Sequence, residues 1–322
     1  MAGIQMLRAS LLKFCRKILE EHRYNVTQIS MQHIDAREGF NDPRAIGFYG
    51  KPVVIDAPLE WARWKAWGSP FDQQNPLVKI VRKSMQSLED PYNILYASLQ
   101  DYYYTVQPSC MEECMGFDRA YFGTEFPQPS HTHATRWPWV DIPFDKRELT
   151  PVYKNQKMVY EEASEHGVQH WGPITEEKLE TEAYKFHRLI GSIRTRGFLS
   201  RPNAADGYIR AQVLYRHGRG WRWIPIQGQH RVIVCAAMDM DVIPIKAVSL
   251  VRFEDMAFWP LVRDGVFSYD DAAKAFDRVF EGHAPDAIKQ YDCGGVDETP
   301  LGTSKNADPG IISSSKWSVQ PG

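Results

Sequence analysis

The residues that most clearly suggest chemistry are Gly228, Gln229, His230 and Arg231, which stand between a strand-like segment and an apolar helical one. Glycine lets the backbone turn tightly and lets a ligand come close. The first N–H groups of a helix have no partner within it, so its N-terminus attracts anions. An imidazole and a guanidinium add donors that suit phosphate oxygens. The tetrapeptide predicts a phosphate- or carboxylate-binding corner; ordinary capping with Arg231 in a salt bridge is the structural alternative.

The neighbouring segments predict the elements that hold this corner. Alternating residues over 208–216 and 221–226 predict a hairpin with its turn at 217–220. The helix that follows the corner leads to a further strand at 242–248. Before the hairpin, Thr175 is a typical N-cap and Gly197 a typical C-terminal residue of a long helix. Its apolar face follows steps of three and four residues: Leu179, Ala183, Phe186, Ile190 and Ile193.

Candidate catalytic groups lie near the start of this long helix. Glu177 and Glu180 could serve as a general base or as Mg²⁺ ligands. His170 comes shortly before the helix, beside Trp171, and could face the same pocket. Structural roles remain open for all three, because carboxylates in a first turn stabilise the helix dipole and histidines also occur in cores.

The overall composition of the chain argues against several classes of protein function. The 322 residues are 43% hydrophobic and carry a formal net charge of −2, without the basic footprint of a duplex-binding protein. This balance argues against nucleic acid as a partner. The five cysteines fit no zinc site or disulfide framework, so no metal site is predicted. The N-terminal segment lacks the features of a secretory signal, and no apolar stretch is long enough for a membrane span, so a cytoplasmic location is expected.

Composition also divides the chain into three predicted regions. Residues 1–150 form an aromatic- and proline-rich α/β region of unknown role, with a strand at 51–58 and helices at 75–85 and 91–106. Residues 151–290 contain the corner and a late helix within 268–282. Residues 291–322 are rich in Gly, Ser, Pro and Asp, so a mobile tail is expected there.

Residues 175–250 resemble the ParB/sulfiredoxin superfamily in the order of their elements and motifs. The matching positions are Ser192, Ile193 and Gly197 at the end of the long helix, Gly228, His230 and Arg231 in the turn, Ala236 and Ala237 in the next helix, and Ile243, Pro244 and Ile245 in the last strand. Segments of the first half are similar to uncharacterised ParB-like proteins of bacterial surface-polysaccharide gene clusters.

The resemblance implies an α+β fold, in which a ParB/sulfiredoxin-like domain has a mixed sheet with flanking helices. It also implies that the corner binds a nucleoside triphosphate or diphosphate, ATP or CTP, with Mg²⁺. Free serine kinases of this superfamily use a glutamate near the start of the first helix as a base. Sulfiredoxins have a cysteine where this chain has Gln229, which argues against that reductase activity.

The leading expectation is therefore a nucleotide-dependent phosphotransferase acting on a small molecule or glycan precursor. Two alternatives remain: a non-catalytic nucleotide-binding regulator, and a ParB-like DNA-binding protein or nuclease. The latter is disfavoured because only about 70 residues follow the matched region, whereas partitioning proteins continue into a helix-turn-helix module. The expected partners are the nucleotide and its acceptor, and a homo-oligomer stays open.

Overall fold

The computed structural model describes residues 33–37, 39–88, 90–108, 111–117, 137–140, 166–198, 207–289 and 291. Within these ranges the protein is α+β, with helices flanking a mixed five-stranded sheet. The loop at 126–145 and the N-terminal segment fall largely outside them. Among the residues that the structure describes, no helix has the length and apolar character needed to cross a membrane.

The sheet has the strand order β1-β2-β5-β3-β4. Its strands are β1 Ile34–Asp35, β2 Val53–Pro58, β3 Ile209–Arg216, β4 Gly220–Gln227 and β5 Val242–Arg252. Pairing is parallel for β1–β2 and β3–β5, and antiparallel for β2–β5 and β3–β4. The predicted hairpin is confirmed as β3–β4, and the strands predicted at 51–58 and 242–248 are β2 and β5. The sheet therefore combines strands from both sides of residue 150.

Nine α-helices and two 3₁₀ segments lie in the described ranges. The α-helices are α1 Ala45–Tyr49, α2 Pro76–Gln86, α3 Pro91–Thr105, α4 Met111–Met115, α5 Glu176–Arg196, α6 Gln229–Ala237, α7 Pro260–Arg263, α8 Tyr269–Glu281 and α9 Asp286–Lys289, and the 3₁₀ segments are Leu59–Trp61 and Phe253–Phe258. Because β3 and β5 are parallel, the chain must cross over between them, and α6 lies in that connection. It packs against α2 and α5.

The long helix α5 has the caps and the buried face that the sequence predicts. The Thr175 hydroxyl accepts a hydrogen bond from the Lys178 N–H at 3.3 Å, and the Gly197 N–H donates to the Ile193 carbonyl at 2.9 Å. All five predicted apolar positions are buried. One charged residue, Glu182, is buried on the same face.

The hydrophobic core also joins the predicted regions 1–150 and 151–290. Trp64, Trp67 and Trp171 belong to one cluster that includes buried apolar residues from one face of the sheet and from α2, α3, α5 and α6. A second cluster lies around α8 and the second 3₁₀ segment. Tyr291 is the first residue of the predicted mobile tail; it is buried, and its hydroxyl donates to Asp101 Oδ2 at 3.1 Å. The remainder of that tail, 292–322, lies outside the described residues.

Candidate functional site

The corner between β4 and α6 has a backbone conformation that requires glycine. Gly228 adopts φ +87°, in the left-handed region that side chains disfavour. A Cβ at this position would also lie 2.9 Å from Arg231 Nη2 and 3.2 Å from Ile209 Cγ1. The strand thus turns directly into the helix with its polar residues at the first turn.

This turn leaves backbone donors available. The N–H groups of Arg231 and Val232 donate to the Gly228 carbonyl at 3.0 and 3.2 Å. Among the described residues, the N–H groups of Gln229 and His230 have no backbone acceptor. They are the first two helical positions, where the helix dipole is positive. An anion that approached the start of α6 would therefore meet two unpaired N–H groups.

His230 is held by a buried carboxylate. Its Nε2 lies 2.5 Å from Glu182 Oε2, whose side chain is only 1% exposed. The other oxygen, Oε1, accepts from Lys185 Nζ at 2.8 Å. Burial alone would raise the pKa of Glu182, but the hydrogen bonds and charges of His230 and Lys185 outweigh it and lower the pKa to about 2. Glu182 is therefore ionised at neutral pH.

The ionised carboxylate fixes the orientation of the His230 ring. A carboxylate only accepts hydrogen bonds, so the proton of the pair lies on Nε2. The other ring nitrogen, Nδ1, makes no hydrogen bond to the described residues. The Phe186 ring packs on the imidazole at a centroid distance of 4.8 Å. The His230 side chain is 19% exposed, so the ring is held in place by Glu182 and Phe186 while part of it is open to solvent.

Arg231 contacts the backbone at the start of β3. Its Nη1 donates to the Gly207 carbonyl at 3.3 Å, and its Nη2 donates to the Tyr208 carbonyl at 3.2 Å. These bonds hold the guanidinium across Gly228 and join β3 to the start of α6. The structure thus gives Arg231 a positioning role at the corner, and its contact with a phosphate stays a prediction.

Gln229, the remaining residue of the corner, is 7% exposed. Its side-chain Oε1 is buried and has no hydrogen-bond partner within the described ranges. A buried acceptor without a partner costs about 1–3 kcal/mol, unless water or a ligand satisfies it. Because Cα–Cβ bonds tilt toward the N-terminus of a helix, this amide belongs to the same end of α6 as the unpaired N–H groups.

The other predicted catalytic residues have different surroundings. Glu177 and Glu180 are exposed on α5. His170 is 7% exposed, and its Nδ1 accepts a hydrogen bond from Trp64 Nε1 at 3.3 Å. The His170 carbonyl accepts from the Tyr102 hydroxyl at 2.6 Å. The described contacts of His170 are thus those of a core histidine in an aromatic cluster.

Sequence reasoning missed Glu182, although a signal was present. Glu182 follows Leu179 by three residues and precedes Phe186 by four, so it lies on the apolar stripe of α5. A carboxylate on a buried helix face needs a partner. That position distinguishes Glu182 from Glu177 and Glu180, which lie off the stripe.

No group of three or more His, Cys, Asp or Glu residues with the geometry of a metal site occurs among the described residues. Glu182 does not fit Mg²⁺, because each of its oxygens already accepts a hydrogen bond from another side chain.

Comparisons with known proteins return nothing. The chain matches no family model, and no curated protein or solved structure is significantly similar to it. The likeness to the ParB/sulfiredoxin superfamily therefore remains an expectation from the motifs alone, whereas the α+β fold with a mixed sheet and flanking helices is observed.

Proposed function

We propose that the protein is a nucleotide-dependent phosphotransferase whose acceptor is a small molecule or glycan precursor. The observation that carries this proposal is the His230 imidazole, held at 2.5 Å by the buried Glu182 carboxylate. It lies beside the first N–H groups of α6, which have no backbone acceptor in the part of the chain that the structure describes. Phosphoryl transfer needs mainly positioning and charge stabilisation. A helix N-terminus supplies both to a phosphate group.

In this reaction the N–H groups of Gln229 and His230 would hold the phosphates of ATP or CTP. His230 Nδ1 would take the proton of the acceptor hydroxyl. At the same time the hydroxyl oxygen would form a bond to the terminal phosphorus, and the bond between that phosphorus and the nucleoside diphosphate would break. Glu182 would act as a positioning residue, because its buried carboxylate holds the imidazole in the required tautomer. Glu182 would not bind the Mg²⁺ of the nucleotide, because its two oxygens already accept hydrogen bonds from His230 and Lys185.

The first experiment measures thermal unfolding with ATP, ADP, CTP and GTP in the presence of Mg²⁺. We expect one nucleotide to raise the Tm of the wild type by about 2–5 °C. The increase should be lost in Gly228→Val, and it should be reduced in His230→Ala. His283→Ala is the matched control, because His283 is exposed on the segment after α8. No increase with any nucleotide, or an equal increase in all four proteins, would refute the phosphate site.

The second experiment distinguishes transfer from regulation. The nucleotide that stabilises the protein is incubated with mixtures of hydroxylated metabolites and sugars, and formation of the nucleoside diphosphate is followed. Acceptor-dependent release that His230→Ala abolishes supports phosphotransfer. Binding without acceptor-dependent release favours the non-catalytic regulator instead.

A further inference from the structure

Two positive side chains, those of Arg210 and Lys246, lie next to each other on the five-stranded sheet. They are Cα partners in the parallel pairing of β3 with β5. Partners in register point to the same face of a sheet, and their strands are about 4.8 Å apart. The neighbours of Arg210 along β3, Ile209 and Ala211, belong to the core cluster that contains residues of α5 and α6. The two cations therefore lie on the opposite face, where Arg210 is exposed and Lys246 is partly buried.

Neither cation has a counter-ion among the residues that the structure describes. Burial and the charge of Arg210 lower the pKa of Lys246, and no described carboxylate opposes this effect. The carboxylate in the same row of the sheet, Asp35, accepts instead from Arg37 Nε at 2.9 Å and from Arg37 Nη2 at 2.5 Å. The hydrogen bond with Asp35, together with the charge of Asp56, raises the pKa of Arg37. These two carboxylates therefore stabilise Arg37 rather than Lys246.

His33 adds an uncharged ring beside the pair. It packs edge-on against the Tyr208 ring at a centroid distance of 5.5 Å. Burial and the charge of Lys246 lower the pKa of His33, so the imidazole is neutral at pH 7. A neutral imidazole has one N–H donor. His33 can therefore donate to an anion bound at the two cations.

The same face of the sheet is covered two residues further along β3. There the Gln212 side chain accepts from Trp139 Nε1 at 2.9 Å and donates to the Ser249 hydroxyl at 3.3 Å. Beyond it, Leu214 belongs to the second core cluster. The two cations thus lie at the end of this face that the second cluster does not cover.

The arrangement has an energetic cost in the free protein. Two adjacent like charges repel each other, and no described counter-ion reduces that repulsion. The backbone nevertheless fixes their positions, because β3 and β5 are inner strands that pair on both sides. A bound dianion would remove the repulsion. An arginine fork and a lysine ammonium both donate to phosphate oxygens.

We propose that Arg210 and Lys246 form an anion site that binds the phosphate group of a small phosphorylated metabolite. A phosphate monoester is a dianion at pH 8, because its second pKa is about 6, so its charge matches the two cations. A carboxylate has one negative charge and would leave one cation unmatched. Arg210 pairs with Gln227, the residue before Gly228, so this site lies next to the corner. It shares no residue with the corner and does not depend on the proposed phosphotransferase activity.

The test is a calorimetric titration of the full-length protein at pH 8 with three matched probes, glycerol 3-phosphate, glycerate and glycerol. Glycerol 3-phosphate should bind, and the ³¹P NMR signal of the probe should broaden or shift. Glycerate should bind at least tenfold more weakly, and glycerol should not bind. Equal affinity for glycerate and glycerol 3-phosphate, or no binding of the phosphate, would overturn the inference.

Variants locate the site on the sheet. Arg210→Met and Lys246→Met should each weaken the binding of glycerol 3-phosphate at least tenfold. Methionine keeps an unbranched apolar stem, and either change removes the repulsion, so both variants should have at least the Tm of the wild type without ligand. If one of them nevertheless unfolds, the other decides.

Two controls separate this site from other cations and from the corner. Arg188→Met should leave the affinity unchanged, because Arg188 is an exposed arginine on α5. His230→Ala should also leave it unchanged. Unchanged affinity in the folded Arg210 or Lys246 variant, or a loss of binding in His230→Ala alone, would overturn the inference; the second result would leave the proposed phosphate site at the corner intact.

Discussion

The Glu182–His230 pair should make the stability of this protein depend on pH in a way that one substitution removes. The pKa of Glu182 falls from an ordinary value of 4.5 to about 2 in the folded protein. A difference of this size corresponds to about 3 kcal/mol in favour of the ionised carboxylate in the folded state. Because the side chain is 1% exposed, solvent screening reduces this value little.

The lowered pKa of Glu182 determines how its contribution to stability changes with pH. A carboxyl group whose folded pKa is depressed contributes its full stability above its unfolded pKa. That contribution is lost as the pH falls from about 4.5 to about 2, since the unfolded chain takes up the proton first. Glu182→Gln keeps the shape but removes the charge. The free energy of unfolding of the variant should therefore be about 2–3 kcal/mol lower than that of the wild type at pH 7. This difference should become smaller as the pH falls toward 2.

The assay is urea unfolding at pH 7, 5, 4 and 3, followed by tryptophan fluorescence. Glu180→Gln is the matched control, because Glu180 is exposed on the same helix, and its effect should stay within about 0.5 kcal/mol. The stabilising role of the Glu182 charge is refuted if Glu182→Gln is as stable as the wild type at pH 7. It is equally refuted if the difference between the two proteins is the same at pH 7 and pH 3.

Three further predictions concern a glycine with positive φ and two buried polar side chains. Gly228→Ala should lower the free energy of unfolding by more than about 1 kcal/mol, because φ is +87°; chemical denaturation measures it. Arg63→Met should lower it by about 2–3 kcal/mol, since the buried guanidinium donates to the Val279 and Phe280 carbonyls at 3.0 and 3.1 Å; a loss below about 0.5 kcal/mol would contradict this. Cys235 should resist iodoacetamide at pH 8 until urea is added, because burial raises the pKa of its thiol to about 12; mass spectrometry of labelled peptides checks this.

Much of the local structure could be predicted from the sequence, because its signals act over a few residues. The cap at Thr175, the apolar stripe of α5 and the alternation of β3 each reflect neighbours within one or two turns or along one strand. The glycine at 228 predicted the turn for the same reason. The resemblance to a superfamily rests on those same segments and stays a prediction.

The sequence alone determined where the corner lies and which donors it contains, because a turn residue and a helix start are local properties. Only the tertiary structure decided which carboxylate contacts the histidine of this corner. Glu182 and His230 are 48 positions apart, and their contact depends on how α5 packs against α6. Glu177 and Glu180 lie on the exposed side of α5, whereas the packing around Trp64 and Trp171 places His170 in an aromatic cluster. The chemistry of a side chain depends on its burial and on its partner across a helix interface. Neither can be predicted from the pattern of residues within one segment.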